Sequence, residues 1–494
     1  MIRIVPMVWL LVCLLSTAQA PAQTLADKVQ EHRFDNGLTL LMVERHNAPT
    51  VAAYITFRVG GVDETSDRRG VAHLLEHLLF KGTQTLGTVD YAREKPLLEK
   101  IEQVGSEIDR LKNEPQVAAG QLEELRRQLQ ELQRQHRDLV VKDEFSRIYA
   151  ENGGVGYNAF TSKDQTTYLI SLPANKLELW AAIESDRLQH AVLREFYTER
   201  EVVREERRRS YESSPGGMLY ETLLATAYRV HPYRNPVIGW DSDIDNLSLA
   251  ETRAFLHSYY APVNMVITLV GAFDSEQTLA LVERYFASIA PGTPIPAVVD
   301  REPPQRGERR ARINFDAEPQ LAIAYHKPSM PHRDDYTFDL LMQILGEGNT
   351  SRLYRKLVVE QQLAASVGVY GAPGSRYDNL MVISATPRHP HTLEEVEAAI
   401  YAEVERFKEQ PVTVAELETA RNRILTDLLR MLKGNNGLAR MLSNYQALTD
   451  DWRYLVTYEE ELSKISRDDL SAVARRYLNA DNRTVVTLSR EDGL

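Results

Sequence analysis

The chain has 494 residues, 43% of them hydrophobic and 26% charged, a balance that excludes default disorder and leaves length for two or more domains with cores of their own. A net charge of -12 argues against a nucleic-acid partner, because phosphate binding needs a surplus of Lys and Arg on one face.

Residues 1–22 read as a secretory signal peptide: Arg3 precedes an apolar core from Val5 to Leu15, and Ala20-Pro21-Ala22 supplies a cut after Ala22. A periplasmic or secreted protein is the expectation. The only cysteine, Cys13, falls inside that segment, so the mature chain would have neither disulfides nor a thiol nucleophile. Any metal must then be held by His, Asp or Glu. No later apolar run has the length of a membrane span, and the one at Asn264 is strand-like.

Gly37 to Arg45 and Val51 to Gly61 read as strands joined by a turn at His46 to Pro49. A helix follows from about Gly70, with Gly82 placed to cap it. Between Ala92 and about Glu144 a heptad seam runs through Leu97, Ile101, Val104, Ile108 and Leu111. Past Pro115 it resumes at Leu122, Leu125, Leu129, Leu132, His136 and Leu139, so this stretch reads as an antiparallel helical hairpin inserted in the first domain. Its plain role is a surface hairpin packed on itself, and its sharper one a docking arm or lid. The segment 290–310, rich in Pro, Gly and charge, reads as a linker. Beyond it the strand, strand, helix, glycine order returns at Ala311, Gln320 and Tyr336, which marks an internal duplication. The fold class is therefore α+β, with an N-terminal domain over 31–289 and a related C-terminal domain over 311–494. In the second copy Asp339, Leu340, Gln343 and Ile344 stand where a metal helix needs His and Glu, so only the first copy can be catalytic.

The stretch GVAHLLEHLLFKGT, from Gly70 to Thr83, carries the chemistry. On a helix His73 and His77 project from one face, a turn apart, and both imidazoles can reach one ion. Glu76 sits at the edge of that face, where a carboxylate can take a proton from water without ligating the metal. Leu74, Leu75, Leu78 and Leu79 would bury the rest of the cylinder. The plain alternative is a buried helix with hydrogen-bonded histidines. A zinc site needs a third protein ligand. The charged helix from Phe196 to Glu212 offers Glu199 and Glu206, two turns apart on nearly one face, with Val202 and Val203 to seat it on the core. That spacing suits one carboxylate on the metal and another behind it.

His73, Glu76 and His77 spell His-x-x-Glu-His, the order of the inverted zinc peptidases, and the chain resembles the pitrilysin family, which includes insulin-degrading enzyme and the mitochondrial processing peptidases. The resemblance implies two homologous domains, each a mostly antiparallel sheet with helices on one face, facing each other around a chamber. It implies one zinc ion per chain, held by His73, His77 and Glu206, with Glu199 in support, Glu205 as the runner-up ligand and Glu76 as the catalytic base. It places Asn158 and Ala159 on an edge strand that pairs with the backbone of a peptide substrate. The implied activity is a zinc endopeptidase acting on short or unfolded peptides. A non-enzymatic scaffold or assembly subunit is the rival.

Two departures stand out. Glu206 follows His77 by 129 residues, more than the family's usual interval, and the hairpin accounts for the excess. Members of the family complete the site with an Arg and a Tyr from the C-terminal half, where this chain has Val358 and Ala365. The expected partner is therefore a homologous subunit, in a homodimer or heterodimer, that supplies them. His389 and His391 read as solvent-facing loop residues.

Overall fold

The computed structural model describes residues 24–116 and 119–490, so the expected signal peptide lies outside the described residues. Two sheets organise the chain. The first contains β1 (Gln30–Arg33), β2 (Thr39–Glu44), β3 (Thr50–Phe57), β4 (Val155–Thr161), β5 (Thr166–Pro173) and β6 (Met265–Gly271), in the order β1-β2-β6-β3-β5-β4. The second contains β7 (Arg309–Asn314), β8 (Gln320–Lys327), β9 (Ala364–Ala372), β10 (Asn379–Pro387) and β11 (Arg483–Ser489), in the order β7-β11-β8-β10-β9. Without β1 the two orders coincide, and each sheet holds one parallel pair, β2 with β6 and β7 with β11, among antiparallel ones. Residues 290–308 form neither helix nor strand.

The period of two in the strands decides how the layers stack. On β3, Val51, Ala53, Ile55 and Phe57 face the helices of their own domain, among them Val71–Leu78 and Leu177–His190. Ala52 and Tyr54, on the opposite face, join a core built mostly by the second domain. Strands buried on both faces read as continuous apolar runs, which is what β3 and β6 do.

Each sheet's second face is covered by a helix from the other domain. Asn435–Thr449, in the second domain, lies across β3 and β6, where Leu438, Ala439 and Leu442 are fully buried, and Ser443 Oγ meets Thr56 Oγ1 at 2.7 Å. In return Pro215–Ala227, from the first domain, packs Leu219, Leu223 and Leu224 against Ala322, Ala324 and Val486 of the second sheet. A polar seam runs beside this exchange: Arg376 of the second domain donates to Asp63 at 3.1 Å and to the Arg58 carbonyl at 2.9 Å.

The hairpin forms as Tyr91–Leu111 and Ala119–Arg137. Ile101, Val104, Ile108 and Leu111 are buried along its seam, and its root is closed by an antiparallel bridge between Thr88 and Val140. Among the described residues no helix is long and apolar enough to cross a membrane.

Candidate metal centre

The helix Val71–Leu78 starts at Gly70, whose φ of 91° is a left-handed conformation; a Cβ there would meet the Ile238 carbonyl oxygen at 2.4 Å, so glycine is required. Its free N-terminal N–H groups are satisfied by Glu64, which accepts from Gly70 at 2.8 Å and from Ala72 at 2.9 Å. Val71, Ala72, Leu74, Leu75 and Leu78 are buried, and this leaves His73, Glu76 and His77 on the face away from the core.

The glutamate helix is Phe196–Arg207, continuing as a wider turn over Arg208–Glu212. Phe196, Arg200, Val203 and Arg207, at helical spacing, seat it. Val202 does not: it is 44% exposed, because it lies about 100° around the helix from Val203. The buried Arg194 just before the helix fixes its entry. It donates to Glu94 at 2.6 Å and to the Thr83 carbonyl at 2.6 Å, and Glu94 also meets His136 Nε2 at 2.7 Å. That knot joins the hairpin root, the loop after the histidine helix and the start of the glutamate helix.

The two helices bring His73, His77 and Glu206 together, each offering one donor atom, with these atoms all within 4.8 Å of one another. His73 Nε2 lies 3.7 Å from Glu206 Oε1, and His77 Nε2 lies 3.5 Å from Oε2. Both exceed a good hydrogen bond of about 2.7–3.2 Å. They approach the roughly 3.3 Å that separates ligands at tetrahedral angles on bonds of about 2.0–2.1 Å, so the donor set fits zinc. Glu205 points away, toward Arg208 and Arg209. Burial and the neighbouring His77 push His73 down to about 4. Burial also resists charge on His77, but Glu199 and Glu206 outweigh it and draw its pKa up to about 9. Glu199 stands behind His77, with Oε2 at 3.3 Å from Nδ1 and Oε1 at 2.6 Å from Lys81 Nζ. A carboxylate on the far nitrogen orients a ligating imidazole and raises its basicity.

Glu76 accepts from Thr161 Oγ1 at 2.6 Å, and burial raises its pKa above the ordinary carboxylate range. Thr161 ends β4, the free edge of the first sheet, so that edge runs beside the histidine helix. On β4, Asn158 is exposed and Ala159 is buried, paired with Leu169 and Tyr168 of β5. A cavity of about 550 Å³ opens on Glu76 and His77 and is walled on its far side by Val141 to Phe145.

The family model described as "Insulinase (Peptidase family M16)" matches residues 39–109 and 141–241, and "Peptidase M16 inactive domain" matches 246–424. The chain belongs to the M16 peptidase family. The M16 match breaks between 109 and 141, where the second hairpin helix lies. Among similar M16 proteins, "Zinc protease PqqE" of Helicobacter pylori is 28% identical, with 95% of each chain covered. The "Uncharacterized zinc protease YmxG" of Bacillus subtilis is 22% identical over 92% of this chain and 96% of its own. The crystal structure of a protease from Helicobacter pylori superposes with a TM-score of 0.78 at 26% identity, covering 94% of this chain and 99% of the other.

In the second M16 half, the helix matching the histidine helix in order is Arg333–Gly346; its Leu340, Gln343 and Ile344 are buried, and Asp339 accepts from Tyr458 at 2.7 Å. Val358 lies in the turn Tyr354–Glu360, and Ala365 is exposed on β9. Lys81, Thr161 and Glu64 are neighbours of this candidate centre that the sequence did not single out. Lys81 had a signal in its spacing of four from His77, although the helix ends at Leu78 and Lys81 lies in the bend beyond it. Thr161 and Glu64 had none, since only the packing of β4 and of the loop before Gly70 brings them to the helix.

Proposed function

We propose that this chain is an exported zinc endopeptidase, in which His73, His77 and Glu206 hold the metal, Glu76 is the catalytic residue and Glu199 orients His77. The observation that carries the reading is the convergence of two imidazoles and one carboxylate from separate helices beside a half-buried glutamate that lies outside their cluster. Zinc, when bound, supplies a Lewis acid that lowers the pKa of water and polarises a carbonyl. Glu76 takes the proton of the attacking water and passes it to the leaving nitrogen, and its raised pKa brings it nearer the working pH of such a shuttle. Thr161 holds Glu76 in place through its hydroxyl. The open edge of β4, with Asn158 exposed, suits a peptide added as a further strand.

Export rests on the signal-like residues 1–22. Val358 and Ala365 leave no Arg or Tyr at those positions of the second half, so the working enzyme is completed by a homologous subunit that provides them. The test is a pair of variants. Glu206→Gln should abolish stoichiometric zinc, whereas Glu205→Gln should retain it; the reverse result assigns the ligand to Glu205. Cleavage of unfolded peptides is then measured for the chain alone and with a homologous chain added. Zinc-free protein in the wild type would leave the scaffold reading in place.

A further inference from the structure

The second hairpin helix sorts its charges by face. Glu124 and Arg127 pair with each other, as do Glu131 and Arg134, all turned to solvent. A neighbouring stripe carries Arg126, Leu129, Gln130, Gln133 and Arg137, and these, with no acid of the same helix, line a groove. The stripe overhangs the glutamate helix and encloses with it this groove of about 1090 Å³, at the upper limit of small-molecule sites. Among the described residues neither Arg126 nor Arg137 has an ion-pair partner. The four acids of the facing wall are already engaged: Glu201 with Arg204, Glu205 with Arg208 and Arg209, Asp245 with Lys112 and Arg204, and Glu206 with His73 and His77. The unbalanced charge in the groove is therefore positive, on a chain whose net charge is -12. Val202, 44% exposed, adds an apolar spot to the floor. Glu206, which faces the two histidines, also lines the groove, so the two spaces meet.

We propose that this groove is a second binding site for the polypeptide substrate, taking an extended segment with acidic and apolar side chains while the bond to be cut lies at the histidines. Arg126 and Arg137 read the acids, and Gln130 and Gln133 offer amide donors and acceptors to the peptide backbone. Leu129 and Val202 receive the apolar side chains. The inference rests on the peptidase reading, and it gives a role to the stretch that the family model passes over.

The test measures binding without turnover. Glu76→Gln protein, full length and zinc-loaded, is titrated into a fluorescein-labelled peptide of alternating Glu and Leu, and into its Lys and Leu counterpart. The expected result is tighter binding of the acidic probe, weakening with salt, and a loss of about ten-fold when Arg126→Glu and Arg137→Glu are combined. Both arginines are exposed, and circular dichroism with zinc content checks that the double variant is folded. Equal binding of the two probes, or a double variant that binds the acidic probe unchanged, overturns the proposal. So does a wild-type dimer that the double variant dissolves, which would make the groove an interface between copies. Arginine-dependent binding in a protein whose wild type cleaves nothing would support the groove while removing the peptidase reading.

Discussion

Replacing Glu199 with Gln tests whether the carboxylate behind His77 acts on the metal through it. Glu199 is held between His77 Nδ1 at 3.3 Å and Lys81 Nζ at 2.6 Å, with its side chain 10% exposed. The amide is isosteric, so packing survives, but the charge that draws a proton density onto His77 is gone. Hydrogen bonds to a charged group are roughly twice as strong as neutral ones. Loss of such a partner costs about 10- to 100-fold in metal affinity, or about 1.4–2.7 kcal/mol. The assay is zinc affinity by competition with a chromophoric chelator, with a thermal melt to show that the fold is intact. Lys81→Met serves as the control, since it leaves the Glu199 charge facing His77 and should shift affinity less than about three-fold. A Glu199→Gln protein that is folded and binds zinc within about two-fold of wild type refutes the reasoning.

Three further outcomes follow from the packing. Glu94 is drawn down to about 2, because His136 and Arg194 outweigh the burial that opposes its charge. Its folded pKa is below the unfolded one, so its contribution is present above about pH 4.5 and lost as pH falls toward 2; acid denaturation of Glu94→Gln should lose about 2 kcal/mol of that dependence after solvent screening. Gly105 sits in the first hairpin helix with Tyr197 against it, and a Cβ would come 2.0 Å from the ring. Gly105→Ala should therefore cost about 1–3 kcal/mol by overpacking, with proteolysis near Pro115 accelerated as the hairpin lifts; an unchanged melt and cleavage rate contradicts this. Leu442→Ala removes a fully buried side chain from the exchanged helix and should cost about 2–5 kcal/mol. Probes in either domain should still report one shared unfolding transition, and two separate transitions would show that the exchanged helices do not couple the domains.

What the sequence disclosed was local. His73, Glu76 and His77 lie on one short helix, and Glu199 and Glu206 on another, so helical periodicity alone predicts which faces they share. The hairpin is legible for the same reason, its heptad seam repeating on both sides of Pro115. The likeness of the two sheets was foreshadowed by the repeat at Ala311 and Gln320, which β7 and β8 occupy. The exchange of Pro215–Ala227 and Asn435–Thr449 was hidden, because a helix buried between two layers carries no label for which sheet it serves. Val202 was misjudged for a related reason: two adjacent valines cannot both face the core on a helix, and sequence alone does not choose between them. Glu206 faces the histidines and Glu205 turns to Arg208 and Arg209, an orientation that two adjacent glutamates in a sequence do not disclose.

The central claim is that two imidazoles and Glu206 hold a zinc ion beside Glu76, which moves the proton in peptide hydrolysis. Zinc content and peptide cleavage measured side by side, for wild type and Glu76→Gln and with a homologous chain present, address it most directly. About one zinc per chain is expected in both proteins, with cleavage in the wild type only. Absence of zinc from both, or equal cleavage by both, would contradict the claim.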